Sequence, residues 1–133
     1  MLDRIRHIIV VDDEDDCHFV TKLVLRKAGY TGQLTLFTEA ATALDHLRQG
    51  GDPPDLLFVD INMPVMNGFD LIAACEQEGL LPNGTSTVVM LSSSNRPMDM
   101  QTARNFRSVN GYVEKSLTVA ALERVVHDHL HRA

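Results

Sequence analysis

The sequence predicts an α/β fold, a doubly wound sheet of five parallel strands in the order 2-1-3-4-5. Five short apolar segments alternate with five segments of helical character, which is typical of a parallel sheet with helices on both faces. The first, third and fourth apolar segments are continuous rather than alternating, as expected for strands covered on both sides. The length of 133 residues suits one domain of this architecture.

The predicted strands are short, mainly apolar runs. They are IRHIIVV (5–11), LTLF (34–37), DLLFV (55–59), TVVML (87–91) and GYV (111–113). We predict no repeats and no linker between them.

Each predicted helix follows one of these strands and carries apolar residues near the helical period. The first helix spans 15–28, with its apolar residues at Phe19, Val20, Leu23, Val24 and Ala28. Thr38 is a candidate cap for the second helix, and Thr118 for the fifth. The third and fourth helices are predicted at 68–77 and 97–107.

Composition and charge narrow the function classes. The net charge is −6 and the basic residues are scattered, which disfavours nucleic-acid binding. No apolar run approaches the roughly 20 residues of a membrane span, and the N-terminus lacks the features of a signal peptide. We therefore expect a cytoplasmic protein that does not enter membranes, with Cys17 and Cys75 as reduced thiols.

Polar residues gather directly after the strands. Asp12 and Asp13 follow the first strand, Asp60 the third, Ser92 the fourth and Lys115 the fifth. In a sheet of this order, ligands bind at the carboxyl ends of the strands. Three crowded carboxylates repel one another, and a hard divalent cation such as Mg²⁺ relieves the repulsion. Mg²⁺ with a lysine and a hydroxyl is a recurring way to hold a phosphoryl group, and a neighbouring aspartate can act as the nucleophile.

Four motifs, taken in order, resemble the receiver domain of bacterial two-component response regulators, in particular the stand-alone chemotaxis-type receivers. The motifs are VVDD (10–13), VDINMPVMNG (59–68), VVMLSS (88–93) and GYVEKS (111–116). The resemblance implies one receiver domain over residues 1–133 with no output domain. It also implies a protein that catalyses only its own phosphoryl transfer and slow dephosphorylation, and is therefore not a turnover enzyme.

The resemblance assigns Mg²⁺ as the cofactor and implies its ligands. Asp13 binds the ion directly, and Asp12 helps through the water shell of the metal. Asp60, which is the phosphoacceptor, and the backbone carbonyl of Asn62 are the remaining protein ligands. The other acids of the run 12–16, beginning with Glu14, need no role beyond complementing the dipole of the first helix.

The resemblance also implies how the phosphoryl group is held and sensed. Ser92 hydrogen-bonds a phosphoryl oxygen, with Ser93 as the alternative, and Lys115 pairs with the same group. Tyr112 is the switch aromatic, which turns inward when Ser92 moves toward the phosphate. The family usually has proline after the lysine, where this sequence has Ser116. The Lys115–Ser116 peptide is then either trans or a cis bond whose cost of about 2.5–4 kcal/mol the fold sustains.

The resemblance implies a sensor histidine kinase or a histidine phosphotransfer protein as phosphoryl donor, a downstream protein target, and a monomer or weak homodimer. Two alternatives remain from other classes. One is a phosphorylation-independent receiver-like binding module, against which the intact set of site residues argues. The other is a flavodoxin-like enzyme or an aspartyl-phosphate phosphohydrolase. The chain lacks a phosphate-binding loop after the first strand, and Asn62 stands where such a phosphohydrolase has its second aspartate.

Overall fold

The computed structural model describes residues 1–132 and contains one five-stranded parallel sheet. The strands are β1 (His7–Val11), β2 (Gln33–Phe37), β3 (Leu56–Val59), β4 (Thr87–Ser92) and β5 (Val109–Glu114). Their order is β2-β1-β3-β4-β5, with all neighbours parallel. The predicted fold class and strand order are therefore confirmed.

Five helices cover the two faces of the sheet. They are α1 (Asp15–Ala28), α2 (Ala40–Arg48), α3 (Gly68–Gln77), α4 (Pro97–Asn105) and α5 (Val119–Leu130), preceded by a 3-10 turn at Leu2–Arg4. One apolar core lies between the sheet and α2, α3 and α4, and a second lies between the sheet and α1 and α5. Both cysteines are free thiols, as expected. None of the helices within residues 1–132 is long and apolar enough to cross a membrane.

Strands β3 and β4 are buried along their whole length, as their continuous apolar sequences predict. Burying such strands on both faces removes their apolar side chains from water, which is the main favourable contribution to folding. The register pairs Val11 with Val59, and Val59 with Met90. Asp12 follows Val11 and Asp60 follows Val59, so both acids are brought to one edge of the sheet, where β4 ends at Ser92.

The buried face of α1 differs from the predicted apolar stripe. Phe19 is 63% exposed and Leu23 is 41% exposed, while His18 and Thr21 face the core together with Val24 and Leu25. The other three residues of the predicted stripe, Val20, Val24 and Ala28, do pack in the core. Apolar periodicity could not identify His18 and Thr21, because buried polar residues look like surface residues in the sequence.

The helix caps also differ in one case. The N-cap of α2 is Glu39, which makes no side-chain cap bond, so the assignment of Thr38 is wrong. Thr118 does cap α5, since its hydroxyl accepts a hydrogen bond from the N–H of Ala121 at 3.1 Å. Strand β5 starts two residues before the predicted position, at Val109.

Candidate functional site

Three residues that directly follow strands of the sheet are held in place by backbone hydrogen bonds to a neighbouring strand. The N–H of Asp12 donates to the carbonyl of Phe37 at 2.9 Å, and that of Asp60 donates to the carbonyl of Val11 at 2.9 Å. In the same way, the N–H of Lys115 donates to the carbonyl of Ser92 at 2.8 Å. The sheet therefore holds the backbone of all three residues, and their side chains converge at the carboxyl ends of the strands.

Lys115 lies at the centre of the acidic side chains. Its Nζ is 2.7 Å from Asp12 Oδ2, 3.0 Å from Glu14 Oε1 and 3.4 Å from Asp60 Oδ1. Burial alone would lower the pKa of Lys115, but its bonds to Asp12 and Glu14 outweigh burial and raise that pKa. The ammonium group is therefore charged over the whole working range of pH.

The carboxyl group of Asp60 is held in an unfavourable environment. Only 3% of the residue is exposed. Burial, followed by the charge of Asp12, raises the pKa of Asp60 to about 6, although Lys115 and the backbone N–H of Asn62 act in the opposite direction. Part of the Asp60 population is consequently protonated near pH 6, and added positive charge would favour its ionised form.

The acidic residues form a group that suits a hard cation. One ligand oxygen each from Asp12, Asp13, Glu14 and Asp60 lies within 4.8 Å of the other three. Asp13 and Glu14 are exposed, whereas Asp12 and Asp60 are buried. Carboxylate oxygens are the donors that Mg²⁺ prefers. Burial first, and the charge of Asp12 second, raise the pKa of Asp60, so a bound cation would favour its ionised form. The residues present therefore fit Mg²⁺, while the role of the Asn62 carbonyl remains a prediction.

The two candidate serines lie in different environments. Ser92 is the last residue of β4 and is fully buried, whereas Ser93 is exposed. The hydroxyl oxygen of Ser92 accepts a hydrogen bond from the N–H of Ser94 at 3.1 Å. Ser92 stands opposite Glu114 in the register of β4 and β5, so it is a direct neighbour of Lys115.

Tyr112 lies on β5, next to the loop that follows β4. Its ring is half-buried, and its hydroxyl donates to the carbonyl of Ser94 at 2.7 Å. The tyrosine is therefore tied to the residue whose N–H bonds to the Ser92 hydroxyl. The Lys115–Ser116 peptide is cis, which is one of the two alternatives the sequence left open.

Two contacts at the site involve residues for which we predicted no role in it. Glu14, for which we predicted no role beyond complementing the dipole of the first helix, pairs with Lys115. His18 reaches the backbone of Asp12, with its Nε2 2.7 Å from the Asp12 carbonyl oxygen. No signal in the sequence separates Glu14 from its acidic neighbours. In the sequence, a histidine one turn into α1 is as compatible with a solvent-exposed position as with the buried position that His18 occupies.

Comparison with known proteins gives a consistent result. Residues 8–127 match the family described as the response regulator receiver domain. The chemotaxis protein CheY of Pseudomonas aeruginosa is 30% identical over 119 residues, which are 90% of this chain and 91% of that protein. The two-component response regulator ARR14 of Arabidopsis thaliana is 37% identical over 98 residues, which are 74% of this chain but only 24% of that protein.

A solved structure extends this likeness to three dimensions. The crystal structure of a two component response regulator from Cytophaga hutchinsonii superposes with a TM-score of 0.87 at 30% sequence identity. The match covers 96% of this chain and 98% of that one.

Proposed function

The chain belongs to the response regulator receiver domain family, and we propose that it accepts a phosphoryl group on Asp60 and signals through the resulting change of conformation. The family consists of signalling proteins that interact with histidine kinases or phosphotransfer proteins. The observation that carries the proposal is a buried carboxyl at the end of β3, 3.4 Å from a lysine ammonium group and beside three further acids.

The proposed reaction is transfer of a phosphoryl group from a phosphohistidine of the donor protein. A carboxylate oxygen of ionised Asp60 attacks the phosphorus atom, the O–P bond forms, the N–P bond breaks, and the imidazole of the donor leaves. Lys115 supports this step because its ammonium group, already next to Asp60, can pair with the incoming phosphoryl oxygens. Ser92 supplies a hydroxyl at the neighbouring strand end.

Mg²⁺, held by Asp13 and Asp60 with the Asn62 carbonyl and supported by Asp12, would neutralise the negative charge that develops on the phosphoryl oxygens. The chain's own contribution is to keep its carboxylates close together, which costs free energy until a cation binds. Lys115 compensates part of this charge in the metal-free protein, since it pairs with Asp12 and Asp60.

We propose that the signal leaves the site through the loop after β4. Movement of the Ser92 hydroxyl toward a phosphoryl group would break its bond with the N–H of Ser94. Because Tyr112 is bonded to the carbonyl of Ser94, the same movement would release the tyrosine. Two alternative packings of Tyr112, with populations shifted by phosphorylation, would alter the surface of α4, β5 and α5 that a protein target reads. On this proposal, residues 1–133 act as one cytoplasmic receiver domain that is a monomer or weak homodimer.

The test is intact-mass measurement after incubation with acetyl phosphate. Wild type with Mg²⁺ should gain one phosphoryl group, about 80 Da. Wild type with EDTA, and Asp60→Asn with Mg²⁺, should gain none. If wild type gains no mass from acetyl phosphate, and none from a panel of phosphorylated histidine kinases, the chain is a phosphorylation-independent binding module.

A further inference from the structure

His18 lies on the inner face of α1 and makes one directed polar contact. Only 5% of the residue is exposed, and its Nε2 is 2.7 Å from the carbonyl oxygen of Asp12. A carbonyl oxygen can only accept a hydrogen bond, so Nε2 carries the hydrogen and donates it. Among residues 1–132, Nδ1 is buried without a hydrogen-bond partner.

A buried polar atom without a hydrogen-bond partner lowers the stability of the fold, so Nδ1 of His18 carries a free-energy cost. An apolar side chain would avoid this cost in a helix face that also buries Val24 and Leu25. The bond that the other nitrogen makes is the feature of His18 that an apolar residue could not reproduce.

That bond acts on the backbone between the two acids of the metal group. The Asp12 carbonyl belongs to the peptide unit that joins Asp12 to Asp13, and this unit is planar. Fixing its oxygen therefore fixes the direction in which the chain continues to the Cα of Asp13. The N–H of Asp12 donates to the carbonyl of Phe37 in β2, and Oδ1 of Asp12 accepts from the N–H of Glu14 at 2.9 Å. His18 supplies the restraint on the carbonyl oxygen of Asp12.

Resting on the proposed function, we propose that His18 is a positioning residue, which orients the Asp12–Asp13 peptide so that both carboxylates face the cation. Its effect passes through the backbone, since Nε2 contacts neither carboxylate in the residues described. Residues that orient metal ligands typically contribute 10- to 100-fold to metal affinity. We expect the lower end of this range, about tenfold, because Asp12 is also held by its bonds to Phe37 and Glu14.

The chain offers a matched control on the same helix face. Thr21 is one turn further along α1, is 1% exposed, and its hydroxyl is likewise buried without a hydrogen-bond partner among residues 1–132. It makes no hydrogen bond to Asp12. Thr21→Val therefore removes a buried polar group from the inner face of α1 without removing a hydrogen bond to the Asp12–Asp13 peptide.

The experiment measures the Kd for Mg²⁺ by titration calorimetry at pH 8 in wild type, His18→Leu, His18→Gln and Thr21→Val. His18→Leu lacks the donor and should weaken Mg²⁺ binding about tenfold. His18→Gln can place an amide N–H near the position of Nε2 and should restore most of the affinity. Thr21→Val should bind as wild type does. Circular dichroism and a cooperative thermal transition in EDTA establish that each variant is folded.

Three results would overturn the proposal: unchanged affinity in folded His18→Leu, no recovery in folded His18→Gln, or an equal loss in Thr21→Val. If His18→Leu does not fold, the comparison of His18→Gln with Thr21→Val decides, and affinity in His18→Gln far below that of Thr21→Val would refute positioning by an N–H at this place. Absence of Mg²⁺ binding in wild type contradicts the proposed function itself and removes the basis of the inference. That outcome is distinct from failure of His18 alone.

Discussion

Asp60→Asn should stabilise the metal-free protein at high pH. Burial and the charge of Asp12 raise the pKa of Asp60 from 3.8 to about 6. One pKa unit corresponds to about 1.4 kcal/mol, so ionised Asp60 costs the folded state about 3 kcal/mol. Asparagine keeps the shape of the side chain without the charge. We therefore expect the free energy of unfolding to rise by up to about 3 kcal/mol at pH 8.

The gain should depend on pH in a defined direction. Below pH 3.8 the carboxyl is protonated in both the folded and the unfolded chain, so the charge contributes no cost. Between pH 3.8 and about 6 the unfolded chain has lost the proton while the folded protein retains it, so wild-type stability falls as the pH rises. Above that window the cost is complete, and the advantage of asparagine is greatest.

Urea denaturation in EDTA at pH 8 and pH 4 measures both effects. The control is Asp52→Asn, which neutralises an exposed carboxylate and should change stability by less than about 0.5 kcal/mol. Added Mg²⁺ should stabilise wild type more than Asp60→Asn, because only wild type relieves the Asp60 charge by binding the ion. A variant no more stable than wild type at pH 8, or a gain equally large at pH 4, would refute the reasoning.

Three further predictions concern the same region. Gly68→Ala should lower the free energy of unfolding by about 2–3 kcal/mol, because an added Cβ would overlap the carbonyl oxygen of Asp60. The control is Gly111→Ala, whose added Cβ meets only one methyl group, at 3.7 Å. Equal losses of stability in urea denaturation of the two variants would contradict the prediction. Mg²⁺ binding should release about half a proton at pH 6, where Asp60 is half protonated, and almost none at pH 8. Calorimetry in buffers of different ionisation enthalpy measures the number of protons released. A release that does not change with pH would disprove the prediction. Tyr112→Phe removes the 2.7 Å hydrogen bond to the carbonyl of Ser94 and should lower the free energy of unfolding by about 0.5–1.5 kcal/mol. The rate of phosphorylation by acetyl phosphate should not change. A slower reaction would mean that the hydroxyl takes part in phosphoryl transfer rather than in the switch.

The sheet and its edge could be predicted because their signals are local. Continuous apolar runs identify the buried strands, and the parallel order brings the residue after each strand to one edge. Asp12, Asp60 and Lys115 are therefore found together from the order of elements alone. The predicted run 87–91 stops one residue before the end of β4 at Ser92, so the burial of Ser92 rather than Ser93 became clear only from the structure.

The polar contacts beneath and beside that edge could not be predicted. His18 and Thr21 are buried, yet polar residues in a helix sequence look the same whether they face solvent or a core. Phe19 is exposed although its sequence position fits an apolar stripe. The pairing of Glu14 with Lys115 joins residues 101 positions apart, and it depends on side-chain directions that composition and spacing do not encode.

The most direct test of phosphorylation at Asp60 is to trap and locate the acyl phosphate. Protein treated with acetyl phosphate and Mg²⁺ is reduced with sodium borohydride, which converts an aspartyl phosphate to homoserine, and is then digested and mapped by mass spectrometry. We predict homoserine at position 60, and only when both acetyl phosphate and Mg²⁺ are present. Homoserine at position 12 or 13, or a phosphorylated protein with an unmodified Asp60, would contradict the assignment.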